Sequence, residues 1–196
     1  MKNILFSLAA AAALFTAVPA SAQQVRVGAD VSSLSRDAHS ARGSFRVDVN
    51  KFDLNQVGVG VEGRTDFGRG IDELTGRVGY TFGNARASLT PTVQVGVADL
   101  NHDYRGQISR RSTASLFETV GAGVEGRVNI LPKLDLLAGY TYRQALNGGR
   151  RRYELNEYSA GGRYALTDTL AFDARYFKRD GTIPSDGVGV GATFNF

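Results

Sequence analysis

Two stretches of this chain carry glycine at the spacing that cradles a dinucleotide pyrophosphate, GVGVEGR at 58–64 and GAGVEGR at 121–127. That chemistry needs the glycines in a turn between a strand and a helix, where backbone N–H groups converge on phosphate. Here the glycines alternate with valine and alanine and no helical period follows, so both stretches read as strand interiors. The only histidines, His39 and His102, offer a second chemistry. Asp37 and Ser40 lie near the first and Asp103 beside the second, the residue types of a base-activated hydroxyl. Ser40 adjoins His39, however, and adjacent residues of an extended segment point opposite ways. Its neighbour two along is Ala41. With no cysteine, two separated histidines also fall short of a metal site. No catalytic residue, metal or cofactor is expected.

The remaining chemistry is charge. Arg26, Arg46, Arg64, Arg77, Arg127, Arg143, Arg163 and Arg175 alternate with apolar residues. So do Asp30, Asp48, Glu62, Glu73, Glu125, Asp135, Glu157 and Asp173. The signs balance, and every base in the set is arginine; the only lysines in the chain are Lys2, Lys51, Lys133 and Lys178. A solvated face would mix the two bases. Arginine's planar fork suits crowded ion pairs, so this set reads as an interior network.

The elements that must hold it are strands. Alternating runs occur at 25–32, 44–50, 56–64, 72–82, 87–98, 113–128, 134–143, 153–164, 170–178 and 187–196. Adjacent Leu116 and Phe117 predict a bulge, and Pro91 an irregularity, since proline removes a ladder donor. Short connections near Lys51, Asn84, Pro132 and Thr167 alternate with longer polar ones, read as loops at 33–43, 65–71, 100–112, 144–152 and 179–186. The final run, GVGVGATFNF, puts glycine on one face and Val, Ala and Phe on the other, and ends on Phe196.

Residues 1–22 carry Lys2, a short apolar run and Ala-Ser-Ala, which reads as a cleaved secretory signal peptide. The run is too short for a membrane helix, and no later stretch is long enough. The mature chain, 23–196, suits one domain. Even-numbered strands of membrane-crossing length, with an apolar face and a charged face, predict an all-β fold. It is a closed antiparallel up-and-down transmembrane β-barrel of ten strands, located in the outer membrane. An eight-stranded barrel with an irregular amino-terminal part is the alternative. A secreted β-sandwich with its charges in water is the reading from another class. Tyr80, Phe82, Tyr140, Tyr142, Tyr164, Tyr176, Phe194 and Phe196 fall toward strand ends, where water–lipid boundaries collect aromatics. In the loops, Arg105, Arg110, Arg111, Arg150, Arg151 and Arg152 form basic clusters. Tyr104 and Tyr153 alone are near enough to stack on bases, so nucleic acid is not an expected partner. Lipopolysaccharide phosphate is the expected anion there.

The segments GYTFGNARASLTPTVQVGVA (79–98), VGAGVEGRVNILPKLDLLAGYTYR (120–143) and GVGVGATFNF resemble the small outer-membrane β-barrel superfamily. That porin family includes the OmpA transmembrane domain and the opacity adhesins. Gly191, Phe194 and Phe196 are similar to its carboxyl-terminal assembly signal. The resemblance implies insertion by the outer-membrane assembly machinery and contact with outer-membrane lipid; it implies no particular activity. A peptidoglycan-binding domain such as OmpA carries is not expected, since the sequence stops at Phe196. The expected protein is a monomeric, non-enzymatic barrel with a structural, envelope-integrity or surface-interaction role, its lumen mostly filled by Arg–carboxylate pairs. A narrow porin and a lipid A-modifying enzyme are the alternatives.

Overall fold

The computed structural model describes residues 24–34, 37–66, 71–100, 116–146, 153–182 and 184–196, the side chains of 33–34, 37–42, 66, 71 and 100 excepted. Among the described residues eleven strands are formed and no helix: β1 (Gln24–Leu34), β2 (Asp37–Lys51), β3 (Val57–Asp66), β4 (Ile71–Tyr80), β5 (Phe82–Gly83), β6 (Ala87–Leu100), β7 (Leu116–Leu131), β8 (Leu134–Ala145), β9 (Glu154–Ala165), β10 (Leu170–Gly181) and β11 (Ser185–Asn195). Each long strand pairs antiparallel with its sequence neighbours, and β4 pairs directly with β6. The sheet closes where β1 meets β11, in register from Gln24↔Asn195 to Leu34↔Ser185. Closure leaves no edge strand.

The two-residue strand β5 is the tail of β4. Gly79↔Thr92 and Phe82↔Leu89 keep one register, so Tyr80 and Thr81 fall opposite Pro91 and Thr90. Pro91 has no N–H to offer, and the ladder lapses there. Thr81 turns its backbone elsewhere: its carbonyl accepts from Asn55 N (2.6 Å), its N–H donates to Gln56 O (3.2 Å). The barrel therefore has ten strands.

Three local expectations are corrected. No bulge sits at Leu116 and Phe117; β6 and β7 pair without a shift from Ala87↔Val128 to Asp99↔Leu116. Alternation holds, and Phe117 faces inward. The register shifts instead at Ser33/Leu34 and at Asn129/Leu131. The loops read at 33–43 and 179–186 are largely strand, since β2 begins at Asp37, β10 runs to Gly181 and β11 begins at Ser185. Beyond the apolar belt both strand faces are wet, so polar residues no longer signal a loop. Residues 1–22, His102 and the six loop arginines Arg105, Arg110, Arg111, Arg150, Arg151 and Arg152 lie outside the described residues, as does the side chain of His39.

Burial is inverted relative to a water-soluble protein. Val95 and Val190 are each 63% exposed, while Asp30 is 3% and Arg46 6% exposed. The apolar face of the long strands points outward, and the charged, polar or glycine face inward, as a lipid-facing barrel demands. The strands are staggered. The register line from Gln24 at the start of β1 passes through Asn50, Gly60, Arg77, Gln94, Gly121, Arg143 and Leu155. It reaches Gly181 at the far end of β10. Such stagger tilts the strands and brings inward residues distant in sequence to one level.

Candidate functional site, a charged barrel interior

Inward positions follow strict period-two alternation, so each strand contributes its charges to one lumen. Arg46 on β2 lies 3.5 Å from Glu157 on β9, 3.8 Å from Glu62 on β3 and 3.9 Å from Asp30 on β1. Arg143 on β8 donates to Glu73 on β4 (3.0 Å), to Glu62 (3.4 Å) and to Gln94 on β6 (3.0 Å). Arg77 donates to Asp48 (3.3 Å) and stands 3.9 Å from Glu62. Glu62 thus receives three guanidinium groups. Arg46–Glu157 and Arg143–Glu62 join strands that are not neighbours, so these pairs cross the lumen. Arg64 is buried in the same region.

The closing strand explains its own glycines. Gly189 is the register partner of both Asp30 on β1 and Arg175 on β10. Arg175 Nη2 donates to Asp30 at 3.0 Å across it. One step along, Asp173 faces Gly191, and Arg26 faces Thr193. Arg26 donates to Asp173 from both Nε (2.9 Å) and Nη2. A methyl at Gly191 would sit 3.0 Å from Asp173 Oδ1, and one at Gly187 2.9 Å from the Phe177 ring. Strands β1 and β10 therefore grip each other over β11, through space that only glycine leaves open.

Toward the long-loop end the lumen becomes apolar. Ala98, Tyr153 and Leu155 are buried together, with Phe117 and Ala145 against them. Phe117 and Tyr153 stack tilted, with centroids 5.0 Å apart. The Tyr153 hydroxyl donates to Glu73 (2.7 Å) and so ties this cap to the ion pairs below. Phe177 is fully buried, with the guanidinium of Arg179 4.3 Å from its ring centroid and that of Arg175 at 5.9 Å.

Arg179 was not among the sequence candidates, because position 179 read as loop. It donates to Glu157 at 2.6 Å and is 3% exposed. Its signal was parity: 173, 175, 177 and 179 share one face. Gln94 and Tyr153 were missed for lack of formal charge. Conversely, Glu125, Arg127 and Arg163 form no ion pair among the described residues, and Asp135 accepts from Asn129 Nδ2 (2.9 Å). Phe194 pairs with Val25 and Leu170 on the outer face, and Phe196 is 69% exposed beyond the strand end. Both glycine-spaced stretches lie within β3 and β7, with no helix after either. Among the described residues, no group of three or more His, Asp or Glu is placed to hold a metal ion.

Chemically the network is one of shared ion pairs and hydrogen bonds. Removing each ion from water costs several kcal/mol. Sharing of carboxylates by two or three guanidiniums, with added hydrogen bonds from Ser44 (3.5 Å) and Tyr153, offsets that cost.

No protein-family model matches the sequence, and no curated protein sequence matches it. Solved structures do. The NanC porin is 13% identical with a TM-score of 0.50, over 89% of this chain and 100% of that one. A loop-deleted OmpT, an outer-membrane protein of Vibrio cholerae, is 16% identical with a TM-score of 0.46, over 88% of this chain and 62% of that one. The KdgM porin is 9% identical with a TM-score of 0.45, over 87% of this chain and 99% of that one. At these identities the likeness is one of fold. Closure, inverted burial and the likeness to the NanC porin agree: the chain has the fold of the small outer-membrane β-barrel proteins.

Proposed function

We propose that the mature chain is an integral outer-membrane barrel with a closed lumen, acting as a structural element of the envelope and a surface for contact rather than as an enzyme. The observation that carries this reading is the pair of cross-lumen bridges, Arg46–Glu157 and Arg143–Glu62. Side chains that meet across a lumen occupy the path a solute would take. In this reading residues 1–22 direct export, the assembly machinery reads Gly191, Phe194 and Phe196, and the barrel stays monomeric. The short-turn end faces the periplasm, and the loop arginines meet lipopolysaccharide phosphate outside.

Two measurements test it. The protein should fractionate with outer membranes and change gel mobility on heating; recovery in the soluble periplasm removes the reading. In planar bilayers the refolded protein should show no discrete channels. A narrow porin is the second reading. It is supported by the likeness to the NanC porin and by the small inward residues Gly121, Gly123, Gly139, Thr141 and Ser159 along β7–β9. Discrete conductance steps in the unaltered protein would replace the first reading with this one.

A further inference from the structure

The interior charges are not uniformly satisfied. Arg127 on β7 and Arg163 on β9 face the lumen at the short-turn end, one on each side of β8. Arg127 is the register partner of Leu137, and Arg163 of Asp135, two residues apart on that strand. Adjacent strands lie about 4.8 Å apart and two residues span about 6.8 Å, so these arginines are about 12 Å apart at the backbone. Their side chains are long enough to converge over it.

Neither arginine is ion-paired among the described residues, although carboxylates lie nearby. Asp173, the other register partner of Arg163, holds both Nε and Nη2 of Arg26. Asp135 accepts from Asn129. Glu125, two residues from Arg127 on the same face, is exposed and makes no ion pair. Among the described residues, the Nε atoms of Arg127 and Arg163 are both buried without a hydrogen-bond partner. The two guanidiniums thus keep unused donors at this end of the charged lumen, beside Glu125 and Asp135, which no cation pairs among the described residues.

The turns differ between the two sides of this end. The turn after β2 folds over β4 and β5: Asn55 bonds Thr81 and Gly83, and Tyr80 Oη donates to Asn55 O (2.9 Å). Phe52 from that turn lies under Arg77, 5.7 Å from ring centroid to guanidinium. Beside Arg127 and Arg163 the connections are the two-residue turn at 132–133 and the short turn at 166–169. There Lys133 Nζ is drawn sideways onto Leu166 O (3.3 Å).

We propose that Arg127 and Arg163 form a binding site for a small inorganic oxyanion, phosphate by preference, entering from the short-turn end. Two forked guanidiniums present paired N–H donors that match the oxygen spacing of phosphate, which a single ammonium cannot do. The site is distinct from the cross-lumen pairs, so a conducting lumen would sink the closed-barrel reading and leave this site standing.

The test is a titration of the full mature chain, refolded in octyl glucoside micelles whose headgroups carry no phosphate. Inorganic phosphate is added at constant ionic strength held with sodium chloride, and arginine Nε–H signals are followed by NMR. The expected result is saturable movement of the Arg127 and Arg163 signals. Arg127→Gln or Arg163→Gln should each weaken apparent affinity at least tenfold, and Lys178→Gln at the far end should leave it unchanged. If either glutamine variant does not fold, Arg127→Lys and Arg163→Lys keep the charge and lose the fork, and severalfold weakening is expected. Shifts that never saturate, or affinity unchanged in these variants, would overturn the assignment.

Discussion

Arg175 and Asp30 meet at 3.0 Å directly over Gly189, the residue that each of them faces in register. The contact ties β1 to β10 across the strand between them. Gly189→Ala should therefore place its methyl against the Asp30 carboxylate and destabilise the barrel by about 1–3 kcal/mol, as overpacking does. Gly63→Ala, whose new methyl meets nothing within 4 Å, is the control. It should be neutral or slightly stabilising, because alanine loses less backbone entropy. Urea unfolding of the refolded proteins in micelles compares the two.

Arg26 and Asp173 make the companion bridge, and each is the other's one ion partner among the described residues. Asp173→Leu should cost about 3–5 kcal/mol, because it leaves a buried guanidinium without compensation. Adding Arg26→Met should recover a substantial part of that loss, since an apolar pair carries no desolvation penalty. A double-mutant cycle read by denaturant midpoint checks the recovery. Equal instability of the single and double variants would mean that the pair contributes only its packing.

Much of this fold was legible in the sequence because a barrel writes its two faces into period two. Val188, Val190 and Phe194 against Gly187, Gly189 and Gly191 revealed the closing strand, and its three glycines indicated crowding. What period two does not encode is which charge meets which. The partners of Arg46 on β9 and of Arg143 on β3 depend on strand stagger, which only the registers determine. Strand ends are illegible where both faces become wet, and so Arg179 reads as a loop residue. Tyr153 and Gln94 carry no formal charge to draw attention, although each bonds a buried member of the network.

Phe196 and Gly191 fall into different physical categories despite sharing one short stretch. Phe196 is exposed and contributes nothing to the lumen, whereas Gly191 leaves room for Asp173. Deleting Phe196 should leave refolding in micelles and unfolding midpoint unchanged while lowering the amount assembled in the outer membrane of living cells. Gly191→Val should fail in both settings. Pulse-labelled fractionation beside in-vitro refolding separates the cases; a refolding defect in the Phe196 deletion would make that residue structural.

The cross-lumen bridges also predict how the barrel could be opened. Arg46 and Arg143 are the long side chains that span from β2 toward β9 and from β8 toward β3. Truncating either alone leaves the other in place and strands buried carboxylates, so single alanine variants should be unstable more than open. Removing charge of both signs together reduces that penalty, although Arg179 loses Glu157 and Glu73 loses Arg143. A quadruple variant, Arg46→Ala, Glu157→Ala, Arg143→Ala and Glu62→Ala, takes both bridges away while keeping formal charge balanced. It should show discrete conductance steps in planar bilayers where the unaltered protein shows none. If the folded quadruple variant stays silent, the apolar cap of Phe117, Tyr153 and Leu155 is the barrier, and Phe117→Ala added to it should then open the path.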